Sequence, residues 1–202
     1  MKIGIDIDDT LTDIKDKINI SAYQYALKLN RKVSFYNEEI DSYEDLYKKH
    51  YKLTDEEILF FISNIHEQIT SEVLPREGAR EIVGKLKSDG HTIFIITSRS
   101  FKYHTDPYML SKNWLDRNNI KYDKLIANAV DKVEVCKEEK IDVFIDDILD
   151  NCIRLSENGI FTINISTTNR GFENIITTND WYNIYEIITN FNNGNVRREY
   201  EK

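Results

Sequence analysis

Ile3-Gly4-Ile5-Asp6-Ile7-Asp8-Asp9-Thr10-Leu11 is the stretch on which the fold turns. Ile3, Ile5 and Ile7 alternate with small or acidic residues, the period-2 pattern of a short buried strand whose C-terminal end delivers Asp6, Asp8 and Asp9. Side chains alternate along a strand, so Asp6 and Asp8 point the same way if extended geometry persists. Two like charges at that range need a cation or a shared proton.

Downstream, strand and helix patterns alternate. Thr92 to Thr97 reads as a core strand after a helix over 79–88 that Gly90 stops. Lys124 to Ala127 is a weaker strand, Ile141 to Ile145 a strong one and Phe161 to Ile165 a fifth, with helices near 106–118, 132–139, 149–158 and 181–190. Strands separated by such helices imply an α/β fold: a Rossmann-like parallel sheet with right-handed crossovers and helices on both faces. From Ile14 to Leu74 no strand pattern occurs. Helices are expected near 16–30 and 43–50. A third opens at the capping box Thr54-Asp55-Glu56-Glu57, and Ile58, Phe61, Ile62, Ile65 and Ile69 follow at helical spacing. The economical division is a core of residues 1–13 and 76–202 with a helical cap, 14–75, inserted after the first strand and set above the sheet edge where open α/β sheets bind ligands. The Asn-rich stretch 190–195 reads as a frayed end.

The 202 residues suit one core with an accessory element, and no apolar run approaches the roughly 20 residues that span a bilayer. Carboxylates arrive too early at the N-terminus for a secretory signal, which points to the cytoplasm. Cys136 and Cys152 lack metal or disulfide spacing and read as buried reduced thiols. A net charge of −8 disfavours a nucleic acid polymer as partner, and Arg197-Arg198 is too small a patch to change that. The expected partner is a small anionic molecule, held by a local cation; the oligomeric state is not legible.

A second acidic cluster, Asp146-Asp147 with Asp150 three residues on, follows the strand ending at Ile145. In a parallel sheet both clusters reach one edge and make an all-oxygen site suited to Mg²⁺. Any single Asp here could be only a helix cap, but carboxylates at two strand ends make that reading poor.

Asp6-Ile7-Asp8-Asp9-Thr10-Leu11 resembles the first signature of the haloacid dehalogenase-like hydrolase superfamily. Thr97 after Ile93 to Ile96, Lys132 opening a helix, and Asp146-Asp147 with Asp150 resemble the other three, in order. The resemblance implies a phosphatase in which Asp6 attacks phosphorus to form an aspartyl-phosphate and Asp8 serves as general acid and base. It also implies that Thr97 and Lys132 bind the phosphoryl oxygens. Mg²⁺ would be held by Asp6, the Asp8 carbonyl and Asp147, with Asp146 a further ligand or a supporting partner. Asp8 disfavours the superfamily's carbon–halogen chemistry, whose members carry no acid there.

Thr97-Ser98-Arg99, Thr105, Trp114-Leu115 and Ala129-x-Asp131-Lys132 resemble the deoxyribonucleotidase group and related bacterial nucleotidases, although that group commonly has Gly where this chain has Asp9. A nucleoside monophosphate is the implied ester, with Thr10, Ser98 and Arg99 as candidate substrate-binding groups. Arg99 could equally pair with a carboxylate. Phe35, Tyr43, Phe60 and Phe61 could stack on a base or simply pack. His50, His66, His91 and His104 lack ligand spacing and read as surface or structural. A sugar-phosphate phosphatase or phosphomutase would share the same machinery. A receiver-like, phosphate-binding regulatory domain would carry its acidic pair on the first strand, the reverse of the order here.

Overall fold

The computed structural model describes residues 1–38, 40, 42–101, 104–172 and 174–193. Its centre is a six-stranded, all-parallel sheet of β1 (Lys2–Ile5), β2 (Thr92–Ile96), β3 (Lys124–Ile126), β4 (Val143–Asp146), β5 (Phe161–Ile165) and β6 (Ile175–Thr178), in the order β3-β2-β1-β4-β5-β6. The central strands β1, β2 and β4 alternate between two buried faces. Ile3, Ile5, Ile93, Ile95, Val143 and Ile145 pack with α5 (Ala79–Ser88), α6 (Pro107–Arg117) and α9 (Trp181–Asn192). Phe94, Ile96 and Phe144 turn the other way and pack with residues of α7 (Lys132–Glu139) and α8 (Leu149–Glu157). Two-sided burial explains why the central strands read as nearly continuous apolar runs. Gly4 stands opposite Phe144 in the β1–β4 register, and a Cβ there would collide with Cδ2 of that ring, so only glycine admits the close approach.

The sequence reading placed five strands; β6 is additional. It is an edge strand of Ile175-Ile176-Thr177-Thr178, too short and polar to stand out from the flanking Asn residues. Asp146 is the last residue of β4 rather than the first beyond it. The strand at Ile3 also ends earlier than the alternation suggested. After Ile5 the chain curls back, and the amides of Thr10, Leu11 and Thr12 all donate to the Ile7 carbonyl, at 3.3, 2.9 and 3.1 Å. Both cysteines are buried and unpaired, and burial pushes the Cys136 thiol up to about 12. Within the expected frayed end, α9 continues to Asn192; Asn195 and the Arg197-Arg198 pair lie outside the described residues. No described helix is long and apolar enough to cross a membrane.

Between β1 and α5 the chain is helical: α1 (Lys15–Lys28), α2 (Tyr43–Asp45) running into a π-helical turn at Leu46–His50, then α3 (Asp55–Phe61), a second π-helical turn at Ile62–His66, and α4 (Glu67–Glu72). The capping box forms as expected, Thr54 accepting from Glu57 N at 3.3 Å while the Glu57 carboxylate accepts from Thr54 N at 2.8 Å. The second π turn then adds a residue to the helical register. Ile58, Phe61 and Ile62 are buried, but Ile65 and Ile69 are only half-buried and Thr70 takes the inward place. The chain leaves and rejoins the core side by side: Thr12 and Pro75 form an antiparallel bridge, and Arg76 N donates to Leu11 O at 2.8 Å.

Candidate active site

β1 lies at the centre of the sheet with β2 on one side and β4 on the other, so the ends of these strands open into one crevice. A cavity of about 340 Å³ there is lined by Asp6, Asp8, Thr97, Ser98, Arg99 and Lys132 from the core, and by Tyr43 and His66 from the helical insertion. Asp6 and Asp8 thus reach the same pocket although the chain turns between them.

Lys132 is the first residue of α7, whose N-cap Asp131 accepts from Val133 N at 3.0 Å. An ammonium at a helix N-terminus opposes the helix dipole. Here two carboxylates offset that: Lys132 Nζ stands 3.0 Å from Asp6 Oδ1 and 2.7 Å from Asp146 Oδ2, with all three side chains buried. Burial opposes the charge on Lys132, but the attraction of Asp146 and Asp6 outweighs it and keeps the lysine protonated. Asp6 shifts against its own ionisation. Burial is the largest cause, Lys132 opposes it, Asp146 and Asp8 add to it, and the carboxyl is raised to about 7.

Asp146 is fully engaged. Oδ1 accepts from Ile148 N at 2.8 Å, and Oδ2 accepts from Lys132 and from Asn151 Nδ2 at 3.1 Å. Asp147 turns toward the other side, where Lys15 Nζ lies 3.1 Å from Oδ2. Carboxylate oxygens of Asp6, Asp146 and Asp147 nevertheless lie within 4.8 Å of one another. Among the described residues here, the five carboxyls of Asp6, Asp8, Asp9, Asp146 and Asp147 outnumber the cations Lys15, Arg99 and Lys132 in a largely buried space, and burial raises Asp6, Asp9 and Asp147 above the ordinary carboxyl range. Oxygen donors with that imbalance suit a hard divalent cation.

Arg99 resolves the alternatives left open by its position. Nε donates to Asp8 Oδ2 at 2.8 Å and Nη2 to Asp8 Oδ1 at 2.6 Å, a two-point fork, while Nη1 reaches Ser111 Oγ at 3.4 Å. Burial alone would lift the Asp8 carboxyl, but the Arg99 guanidinium outweighs it and holds the group below its ordinary range. Thr97 is buried just past β2 and faces the pocket; Ser98 Oγ donates to Ala129 O at 3.3 Å at its rim. Thr10 is not brought to the pocket. It is fully buried, its carbonyl accepts from Trp181 Nε1 at 3.3 Å, and its hydroxyl turns toward Asp147, 3.4 Å away.

Two histidines read as structural or surface residues stand at the pocket. His66, on the second π turn, and His104 pack edge to face at 6.1 Å and line the cavity opposite Asp8. Burial lowers both, His66 to about 4, so they face Asp8 as neutral rings. With Tyr43 they also wall a second cavity of about 380 Å³ among the inserted helices, completed by Tyr47, Ile58 and Ile62. Of the four candidate stacking residues only Tyr43 lines it. Phe61 is buried against Tyr25 and Tyr47, and Phe60 lies on the surface beside Tyr25. Phe35 packs edge to face on Tyr23.

A parallel α/β sheet carrying a lysine-bridged acidic pair at the ends of β1 and β4, under a helical insertion, is the arrangement of the haloacid dehalogenase-like hydrolases. The family profile described as 5′ nucleotidase, deoxy (Pyrimidine), cytosolic type C protein matches residues 1–193, and the chain belongs to this family of phosphoric monoester hydrolases. A nucleotidase of Clostridium acetobutylicum is 28% identical over 200 residues, covering 93% of each chain. A provisionally named 5′(3′)-deoxyribonucleotidase of Chlorobaculum tepidum is 32% identical over 59% of this chain and 57% of its own. In overall fold the chain is similar to a haloacid dehalogenase-like hydrolase of Xanthomonas campestris, with a TM-score of 0.65 at 13% identity over 98% of both chains.

Proposed function

We propose that the protein hydrolyses a nucleoside monophosphate in two steps through an aspartyl-phosphate on Asp6, with the inserted helices acting as a cap that receives the nucleoside. The carrying observation is the placement of the Asp6 carboxylate and the Arg99-bound Asp8 carboxylate on one pocket, with Lys132 beside the former. In the first step an Asp6 oxygen bonds to phosphorus and the bond to the leaving oxygen breaks, a proton passing from Asp8 to that oxygen. Arg99 keeps Asp8 ionised at rest, so this proton enters with the substrate monoanion, whose second pKa is about 6. In the second step Asp8 takes a proton from water as the water oxygen bonds to phosphorus, releasing phosphate and restoring Asp6. Thr97 and Lys132 would hold the phosphoryl oxygens, where charge gathers in the transition state.

Asp6, Asp147 and the Asp8 carbonyl would hold Mg²⁺, while Asp146, with both oxygens already hydrogen-bonded, orients Lys132. Bound there, Mg²⁺ supplies charge neutralisation between the nucleophilic carboxylate and the phosphoryl group. For the substrate, the cavity shared through Tyr43, His66 and His104 gives an aromatic-walled seat next to the phosphoryl pocket, and the names of the relatives point to the same ester class.

The test is phosphate release from nucleoside 5′- and 3′-monophosphates and from sugar phosphates, with and without Mg²⁺. Magnesium-dependent release concentrated on nucleotides is expected. Release mainly from sugar phosphates would overturn the substrate assignment, and isomerisation without release would replace hydrolysis by a mutase.

Arg99→Gln separates positioning of Asp8 from binding of phosphate. Asp8 keeps one hydrogen-bond donor but loses the fork, so kcat is expected to fall about 10- to 100-fold with KM changed by less than about threefold. A rise in KM at unchanged kcat would show that the guanidinium serves the substrate instead.

A further inference from the structure

Asp9 has a conformation and a set of contacts that the chemistry above does not use. Its backbone is left-handed, φ 57°, a region that glycine enters freely and other residues enter at a cost. The buried carboxylate offsets that cost with bonds to two parts of the insertion. Oδ1 accepts from Ile14 N at 3.2 Å and Lys15 N at 2.8 Å, where α1 begins, and Oδ2 accepts from the Tyr43 hydroxyl at 2.9 Å, at the start of α2. The Asp9 amide in turn donates to Thr12 Oγ1 at 3.1 Å, on the segment that leads into the insertion. One residue of the catalytic loop therefore joins the near end of the insertion to a helix some thirty residues on.

Tyr43 is the far half of this contact. Its ring lies nearly parallel to Tyr47, 6.0 Å away, meets His66 edge to face at 5.5 Å, and borders both the phosphoryl pocket and the aromatic-walled cavity. Burial, followed by the adjacent Asp9, pushes the phenol well above its ordinary range, so it stays protonated and donates.

We infer that the Asp9–Tyr43 hydrogen bond is a latch that seats the inserted helices over the catalytic loop, and that Tyr43 is thereby a positioning residue for the organic half of the substrate. A small phosphate compound that does not reach the cavity should depend on the latch less than a nucleotide does. The kinetic half of this inference rests on the nucleotidase reading; the structural half does not.

Tyr43→Phe, which removes only the hydroxyl, Asp9→Gly and the double variant are compared by hydrogen–deuterium exchange over 43–72 without substrate, and by kinetics on thymidine 5′-monophosphate and acetyl phosphate. Each single change is expected to speed exchange over 43–72 and to raise KM for the nucleotide about tenfold, the loss of one hydrogen bond. For Tyr43→Phe the loss in kcat/KM on acetyl phosphate should be several-fold smaller than the loss on the nucleotide. In the Asp9→Gly background Tyr43→Phe should add nothing, because the bond is already gone. Asp9→Asn, which tolerates the left-handed backbone and can still bond the phenol, should restore slow exchange. Faster exchange in a protein inactive on the nucleotide upholds the latch and overturns only the substrate reading. Unchanged exchange in both single variants, effects that multiply in the double variant, or equal losses on the two substrates would overturn the latch.

Discussion

Asp6→Asn is expected to lower phosphate release by at least about a thousandfold while leaving the fold intact. The amide has nearly the shape of the carboxylate but is no nucleophile toward phosphorus. The fold should tolerate the change because Asp6 contributes little to stability in its ionised form: burial and the charges of Asp146 and Asp8 raise it to about 7, against the pull of Lys132. The sign follows from linkage. A carboxyl raised above its ordinary 3.8 binds its proton more tightly in the folded chain than in the unfolded one. The contribution of Asp6 to stability without divalent cation should therefore decline as pH rises from about 4 to about 7, and level off above. Asp6→Asn should remove most of that decline, and the oxygen of the substituted amide can still accept from Lys132. Denaturant titrations across this range, beside phosphate assays, read both effects. A variant that is inactive because it is unfolded would count against this account of Asp6.

Lys132→Met should have the opposite stability signature. Lys132 is the cation between two buried carboxylates, at 3.0 and 2.7 Å, and methionine fills its volume without its charge. Leaving buried charges without their partner costs about 3–5 kcal/mol at neutral pH. The deficit should shrink as pH falls, because Asp6, raised to about 7, can then take up a proton in place of the lost ammonium. Loss of a donor to the phosphoryl oxygens should also lower kcat by about 10²–10³. Unfolding followed at pH 7 and again at pH 5 checks the sign; a deficit equal at both would mean that lost packing, not charge, carries it.

Much of this was legible in the sequence for a physical reason. Two-sided burial writes the central strands as apolar runs, and each of those runs ends in the residue that enters the site: Asp6, Thr97 and Asp146. Lys132 was legible through its resemblance to the third signature, a lysine opening a helix, and not from periodicity. Other features depend on contacts between distant segments, which periodicity does not carry. His66 and His104 come from segments far apart in the chain, His66 on the π turn after Phe61 beyond which Ile65 and Ile69 are only half-buried, and their meeting leaves no local pattern. Arg99 sits where a phosphate ligand or a carboxylate partner would be equally at home until its fork is seen on Asp8. Thr10, part of the first signature, is carried behind the acidic group by the turn at Ile7. Asp9 could be marked as a departure from the related group's glycine, but its contact with Tyr43 spans 34 residues of helical insertion and leaves no trace in local pattern.

Trapping of the phosphorylated residue tests the central claim most directly. Enzyme quenched in acid during turnover and reduced with borohydride converts an aspartyl-phosphate to homoserine, which peptide mass spectrometry locates. Homoserine at position 6, absent without substrate, is the expected result. Reduction at another carboxylate, or steady phosphate release with none at position 6, would contradict nucleophilic attack by Asp6.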